Sequence, residues 1–284
     1  DPQKALAYLE TAKFPIVLKA DGLALGKGVL ICSTLEEARA GVREIMEDKH
    51  FGTAGDVLVI EEFLTGREVS VLAFVDGKTI RTMTSAQDHK RAKDGDQGLN
   101  TGGMGCFSPS PFYTEEVDAF CRQYIYQPTV DAMAEEGREF KGVLFFGLML
   151  TPQGPKVLEY NARLGDPETQ VVLCRMENDI LDVADACIDG TLDQVELRFQ
   201  DNAAVCVVLA SQGYPESYEK GFEISGLENF EAREGYYCFH AGSRLNKEGH
   251  IVTNGGRVLG VTAKGDTLRE ARAKAYEAAE WVSF

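Results

Sequence analysis

Positive charge is scarce in this 284-residue chain: 29 Lys and Arg stand against 45 Asp and Glu, a formal net charge of −16. A protein that grips nucleic acid by a basic face needs clustered cations against the phosphates, so that class is excluded. A nucleotide is not, because two or three local cations and a metal can hold its few phosphates. No run of about 18 apolar residues occurs, and no charged, apolar and small-residue segment opens the chain. The expectation is therefore a soluble, cytoplasmic protein with no membrane span or signal peptide. The seven cysteines, at 32, 106, 121, 174, 187, 206 and 238, include no C-x-x-C pair and sit mostly among apolar neighbours. Buried reduced thiols are expected, not a zinc or disulfide framework. The four histidines are scattered, and only His89 lies among other candidate residues. The chain starts at Asp1 without a methionine and stops inside an expected helix, Ala271 to Trp281, which reads as a piece of something longer.

What is present suits more than one domain, with 44% hydrophobic residues over this length. Residues 14 to 19, Phe-Pro-Ile-Val-Leu-Lys, form an apolar strand ending in a lysine, and a strand resumes at Val29-Leu30-Ile31. The loop between them carries Gly22, Gly26, Lys27 and Gly28. Its spacing, G-x-x-x-G-K-G with no helix after it, fits neither a P-loop nor a dinucleotide fingerprint. It fits a hairpin lid whose glycines let backbone amides approach phosphate while Lys19 and Lys27 supply charge, or a merely mobile surface hairpin. Ser33-Thr34-Leu35-Glu36 reads as a capping box opening a helix to about Asp48. A strand from Val57 to Phe63 follows, then a Thr65-Gly66 turn and a strand from Glu68 to Val75. Its end, Glu61-Glu62-Phe63-Leu64, and Glu68 could hold a purine and its ribose, or be an ordinary strand end.

Asp76-Gly77 signals a hairpin into Lys78 to Thr84. From Gln87 to Ser110 hardly an aliphatic side chain appears, and the stretch includes Asp88-His89-Lys90-Arg91 and Asn100-Thr101-Gly102-Gly103-Met104-Gly105. A loop this long is functional or disordered. The glycine cluster favours a packed loop that takes positive φ or approaches a substrate. A helix with a break at Pro128 is expected over Thr114 to Gly137. Gly142 to Thr151 reads as a buried strand in a hairpin with Lys156 to Asn161. On that second strand Glu159 and Asn161 share a face. Two hard oxygen donors followed by Arg163, Asp166 and Glu168 suit Mg2+ and the charges around it, although a surface strand end also carries such residues. Beyond residue 192, strands at Ala203 to Ser211, Tyr236 to Ala241, His250 to Thr253 and Arg257 to Ala263 precede a helix from Asp266. There the Asn254-Gly255-Gly256-Arg257 turn is the one candidate site, with a plain hairpin turn as the simpler reading.

The order of these pieces resembles the ATP-grasp ligases, and among them the glycinamide ribonucleotide synthetase (phosphoribosylamine–glycine ligase) family of purine biosynthesis. K-A-D-G-L-A-x-G-K-G-V marks the superfamily; D-H-K-R, N-T-G-G-M-G and G-D-P-E in this order mark that family, and the match covers nearly the whole chain. The resemblance implies an α+β ATP-grasp fold of two lobes clasping ATP: a small lobe at 1–75, a large lobe with the metal and substrate site at 76–191, and a strand-rich C-terminal domain at 192–284. It implies that Lys19 and the lid residues Gly26, Lys27 and Gly28 contact ATP phosphates, that Glu61, Phe63 and Leu64 line the adenine site, and that Glu68 takes the ribose. Glu159 and Asn161 would bind Mg2+ or Mn2+, and Arg163 with Lys27 would act on the transferred phosphoryl group. Asp88, His89, Lys90, Arg91, Asn100, Thr101, Gly102, Gly103, Met104, Gly105, Asp166 and Glu168 would border the sites for glycine and 5-phosphoribosylamine.

The partners implied are those small molecules, without nucleic acid or membrane, on a monomer. One departure matters: members of the family begin with a further α/β domain that no residue here can supply, so an excised piece keeping the nucleotide site is expected. Another ATP-grasp carboxylate–amine ligase, or a nucleotide-binding fragment without catalysis, would share the nucleotide residues. Amide formation from glycine separates them.

Overall fold

The computed structural model describes all residues except Leu23, Leu25, Gly26 and Lys27, so the lid positions Gly26 and Lys27 lie outside the described residues. Two compact units follow one another, Asp1–Thr65 and Gly66–Phe284.

In the first unit Asp1 caps α1 (Pro2–Leu9), its carboxylate accepting from the amides of Gln3 and Lys4. β1 (Ile16–Ala20) alternates in character, and its neighbours β2 (Val29–Cys32) and β3 (Leu58–Glu62) pair with it antiparallel in the order β2-β1-β3. Ile16 and Leu18, with their cross-strand partners Leu30, Cys32 and Ile60, face α2 (Leu35–Val42) and close a core with Ala38, Val42 and Ile45. The capping box that starts α2 is Thr34 with Glu37, one residue later than expected, and the helix runs on as a wider π turn over Arg43–Glu47.

The second unit opens on β4 (Arg67–Asp76) and β5 (Ile80–Thr82). The stretch expected as one long loop is instead four short strands, β6 (Gln87–Asp88), β7 (Arg91–Lys93), β8 (Gln97–Asn100) and β9 (Gly105–Ser108). Their side chains are too polar to show strand periodicity, and backbone pairing alone makes them strands. After α3 (Glu115–Cys121) a π turn at Arg122–Tyr126 leads without a break into α4 (Gln127–Glu135), so the distortion expected at Pro128 takes the form of a wider turn directly before it and not of a break. β10 (Lys141–Thr151) and β11 (Gly154–Asn161) form the expected hairpin. α5 (Glu168–Val172) and α6 (Ile180–Asp189) precede β12 (Ala203–Ala210), β13 (Tyr236–His240), β14 (Ser243–Leu245), β15 (Ile251–Thr253), β16 (Arg257–Gly265) and α7 (Leu268–Ala279).

Two sheets organise this unit. The order β11-β10-β4-β5 is covered on both faces, which is why β4 and β10 read as continuous apolar runs. Val69, Val71, Ala73, Phe146 and Leu148 pack with Cys121, Ile125, Tyr126 and Val130; Leu72, Phe74 and Phe145 pack with Val171, Val172 and Val183. The order β13-β16-β12-β9-β6 joins strands from either side of residue 192 in one ladder, with Cys206 opposite Cys106. β4 sits in the second unit's sheet, and β9 is bonded to β12 across the 191/192 cut. Arg175, only 4% exposed, ties the same seam: its guanidinium donates to Thr84 Oγ1 at 2.9 Å, Ser108 Oγ at 2.7 Å, Asn202 Oδ1 at 3.2 Å and the Gln200 carbonyl at 3.1 Å. Among the described residues no helix is long and apolar enough to cross a membrane.

Candidate functional site

In the first unit the sheet face opposite α2 carries Val17, Lys19, Val29, Ile31, Val59 and Glu61, as the register requires. Val29 and Ile31 on β2 and Val59 on β3 are exposed, an unusual state for β-branched side chains on the two strands flanking β1. Set among them, Lys19 Nζ lies 2.6 Å from Glu61 Oε2. Phe63, also exposed, follows directly after β3, with Leu64 half-buried beside it. The arrangement is an apolar platform with one cation and one carboxylate, which suits a flat base joined to phosphates. Gly28 sits where a Cβ would meet the Cβ atoms of Ala24 and Ala20, at 2.6 and 3.1 Å.

In the second unit the site grows out of one irregularity. Along β10 and β11, Leu148 pairs with Val157 but Gly147 pairs with Glu159, so Leu158 is an extra residue, a β-bulge. Without the bulge Glu159 would stand opposite Phe146 and point into the core under α3 and α4. With it, Glu159 shares a face with Gly147, Ser70 and Glu68, and Asn161 joins that face opposite Phe145. Gly147 keeps the space clear, because a Cβ there would lie 3.0 Å from Glu159 Cγ. Asn161 Nδ2 donates to Glu159 Oε1 at 3.3 Å, and Arg163 donates to Asn161 Oδ1 at 3.4 Å and to the Leu164 carbonyl at 2.9 Å.

Carboxylates collect around one lysine. Lys90 Nζ donates to Glu68 Oε2 at 2.7 Å. Burial by itself would lower the Lys90 pKa, but the charges of Asp88, Glu68 and Glu159 outweigh it and push it up to about 12. Asp88 is raised above its ordinary value, by burial first and against the pull of Lys90. Glu168, 4% exposed, accepts from Ser70 Oγ at 3.2 Å. Burial, followed by the Asp88 charge, raises its carboxyl to about 6. Of these acids Glu168 is buried, Asp88 and Glu68 are half-buried and Glu159 is exposed. With Lys90 as the cation the described residues place among them, the group is short of positive charge, and an ammonium or a metal ion would complete it.

The remaining sequence candidates hold the surroundings. The Thr101 amide donates to the Lys90 carbonyl at 2.7 Å, the Met104 amide to the His89 carbonyl at 2.7 Å, and the Gly103 amide to Thr101 Oγ1 at 3.0 Å. Gly102 and Gly103 therefore serve close packing, with Gly103 at φ +109° against Pro167, and their amides go to Tyr214 Oη and Thr101 Oγ1. Arg91 bonds the Gly98 carbonyl at 2.8 Å in the β7–β8 hairpin, where Asn100 stands opposite it. His89 is exposed, its ring 5.7 Å from that of Phe107. Sequence reasoning passed over Ser70 and Gly147. The i, i+2 relation of Ser70 to Glu68 on one strand is a signal that could have found the former.

Residues 1–169 match the model of the phosphoribosylglycinamide synthetase ATP-grasp (A) domain, and residues 204–284 that of the phosphoribosylglycinamide synthetase C domain. The chain belongs to the phosphoribosylglycinamide synthetase family. It is 52% identical over 270 residues to the phosphoribosylamine–glycine ligase of Rhodopirellula baltica, covering 95% of this chain and 62% of that protein. It is 50% identical over 287 residues to the trifunctional purine biosynthetic protein adenosine-3 of Gallus gallus, covering 100% of this chain and 28% of that one. The crystal structure of phosphoribosylamine–glycine ligase from Thermotoga maritima superposes with a TM-score of 0.86 at 38% identity, over 100% of this chain and 70% of that one. This member of the phosphoribosylglycinamide synthetase family thus spans just under two thirds of the length of the first curated relatives it matches, 62 and 66%. Its fold is the expected α+β ATP-grasp type with the family's C domain behind it.

In this phosphoribosylglycinamide synthetase chain Glu168 costs stability at neutral pH. Its folded-state pKa of about 6 lies above the ordinary 4.5, so the folded state holds a proton that the unfolded chain releases. Stability falls as pH rises from about 4.5 to 6 and stays reduced above, by about 2 kcal/mol. Glu168→Gln is expected to recover about that amount at pH 8 and close to nothing at pH 4, as read by urea unfolding in metal-free buffer. Equal effects at both pH values would show that the Glu168 carboxyl titrates normally.

Proposed function

We propose that the chain acts as an ATP-dependent ligase joining glycine to 5-phosphoribosylamine, as the name of its relatives describes. The observation that carries this reading is the single face on which Glu68, Ser70, Glu159 and Asn161 stand, with Lys90, Asp88 and Glu168 gathered around it. It is supported by 52% identity to a phosphoribosylamine–glycine ligase. The partners are small molecules; the protein works as a cytoplasmic monomer and binds neither nucleic acid nor membrane.

A carboxylate is a poor acyl donor because oxide does not leave. In the proposed reaction the glycine carboxylate attacks the γ-phosphorus of ATP, the bond to the bridging oxygen breaks, and ADP departs. The amine of 5-phosphoribosylamine then attacks the acyl carbon of glycyl phosphate, the C–O bond to phosphate breaks, and the amide forms with loss of a proton. On the first unit Val17, Ile31, Val59, Phe63 and Leu64 pack the adenine, Glu61 accepts from its edge, and Lys19 neutralises phosphate, joined by Gly26, Lys27 and Gly28. In the second unit Glu68 takes ribose hydroxyls, Asp88 and Glu168 hold the glycine ammonium, and Arg163 spreads the charge of the phosphoryl group in flight. Glu159 and Asn161 fit Mg2+ or Mn2+: two oxygen-bearing side chains on one strand face suit an ion that keeps most of its coordination for water and phosphate. When bound, that ion neutralises charge on the phosphate oxygens.

The test is a thermal-shift titration with Mg-ATP on the wild-type chain and on Glu159→Ala. A hundredfold excess over the dissociation constant stabilises by about 2.7 kcal/mol, so the wild type is expected to melt several degrees higher and the variant to lose most of that shift. An equal shift in both proteins would remove Glu159 from the metal site. ADP release that does not depend on added glycine would remove the ligase reading and leave a nucleotide-binding module.

A further inference from the structure

The turn at residues 254–257 does not close a simple hairpin. β15 pairs with β14 whereas β16 pairs with β12 and β13, so the turn passes between two sheets and delivers Arg257 beside the glycine loop. Arg257 Nη1 donates to the carbonyls of Gly102 at 2.9 Å, Gly103 at 3.3 Å and Asp166 at 3.0 Å, and to Asp166 Oδ1 at 3.4 Å. Nη2 donates to Asp166 Oδ2 at 3.3 Å. From the other side Tyr214 accepts the Gly102 amide on its hydroxyl at 3.1 Å. Three glycines make room for this arrangement. A Cβ on Gly102 would lie 3.0 Å from the Arg257 guanidinium, one on Gly103 2.6 Å from Pro167, and one on Gly256 2.1 Å from the Tyr214 ring. Both Asp166 oxygens are partnered, since Oδ1 also accepts Gln170 Nε2 at 2.9 Å.

The geometry points to Arg257 and Tyr214 as positioning residues that lock the Asn100–Gly105 loop to the Asp166 turn, so that the C domain sets the shape of the amino-acid site. Asp166 then serves as internal counter-ion to Arg257, and the substrate ammonium is left to the acids around Lys90. One planar fork reaches carbonyls on two segments and both oxygens of a carboxylate, a geometry that a lysine ammonium cannot reproduce. This deepens the ligase reading and rests on it for the identity of the substrate. The locking itself does not.

The experiment pairs hydrogen exchange with kinetics on the full 284-residue chain. In Arg257→Ala, exchange over residues 101–104 is expected to speed up at least tenfold while the Mg-ATP thermal shift stays within twofold of wild type in apparent affinity. The glycine KM is expected to rise at least tenfold, more than kcat falls. Arg257→Lys is expected to behave like Arg257→Ala. Tyr214→Phe keeps the ring against Gly256 and loses only the acceptor, so it folds and should speed exchange at the Gly102 amide alone. Unchanged exchange in Tyr214→Phe and Arg257→Ala, or full rescue by Arg257→Lys, would overturn the proposal. If the wild-type chain shows no glycine-dependent turnover, the ligase reading of this chain fails while the exchange data still decide the locking.

Discussion

Arg163→Ala is expected to lower the rate of ADP formation by 10^2- to 10^4-fold while changing Mg-ATP affinity by less than threefold. The side chain is exposed, so little stability depends on it. Its fork is fixed by the Leu164 carbonyl and Asn161 Oδ1, and the guanidinium stands 5.9 Å from the centre of the Phe145 ring. In the proposed reaction a guanidinium held this way at the end of the Glu159-Asn161 face would meet charge that develops late and gain little from the ground state. Single-turnover measurement of ADP, with nucleotide affinity read separately, tests this. A fall smaller than tenfold would place Arg163 outside the reacting group. Arg163→Lys should recover only part of the rate, because a point charge does not match the equatorial oxygens as a planar fork does.

The second large effect is on stability. Asp76→Ala is expected to cost about 3 kcal/mol, because the side chain accepts three amides: Lys78 at 3.1 Å, Thr79 at 2.7 Å and Leu192 at 3.0 Å. The first two belong to the turn after β4, but the Leu192 amide lies in a residue with no exposed surface and finds no water when its acceptor goes. Asp76 is itself 3% exposed. Burial would raise its pKa, yet the three amides and the Lys141 charge outweigh that and hold it below the ordinary value. A lowered carboxylate stabilises the fold above the unfolded-state value of about 3.9 and loses that contribution as pH falls through the lower folded value. The gap between wild type and Asp76→Ala in urea unfolding should therefore be full at pH 7 and shrink below about pH 3.9. A gap independent of pH down to pH 2 would mean the carboxylate is not what holds the turn.

Much of this molecule was legible before any coordinates. The alternation in β1, the continuous apolar run of β10 and the Thr267-capped final helix follow from local chemistry, as does the common face of Glu159 and Asn161. What the residues could not announce is the bulge at Leu158, since nothing in Val-Leu-Glu-Tyr marks one position as extra. Period-2 reasoning gives Glu159 and Asn161 a common face but not which face, and the bulge decides it. The strands between Gln87 and Ser108 were hidden for a different reason. Only β9 pairs at long range, with β12 about a hundred positions later, while β6 pairs with β9 and β7 with β8. Apart from Cys106 in the core, their side chains are too polar to show the period of a buried strand. Arg257 was visible as a residue in a glycine turn, but its partners at 102, 103 and 166 are distant in sequence and give no local signal.

The pairing of β9 with β12 also has a consequence for synthesis on the ribosome. β9 emerges together with β6, yet one of its edges has no partner until Ala203–Ala210 has been made. At a translation rate of about 5–20 residues per second the nascent chain carries that open edge for roughly 5–20 s, and Arg257 arrives later still. During that interval the glycine loop hangs on an unfinished sheet, the state in which a second nascent copy can pair with it.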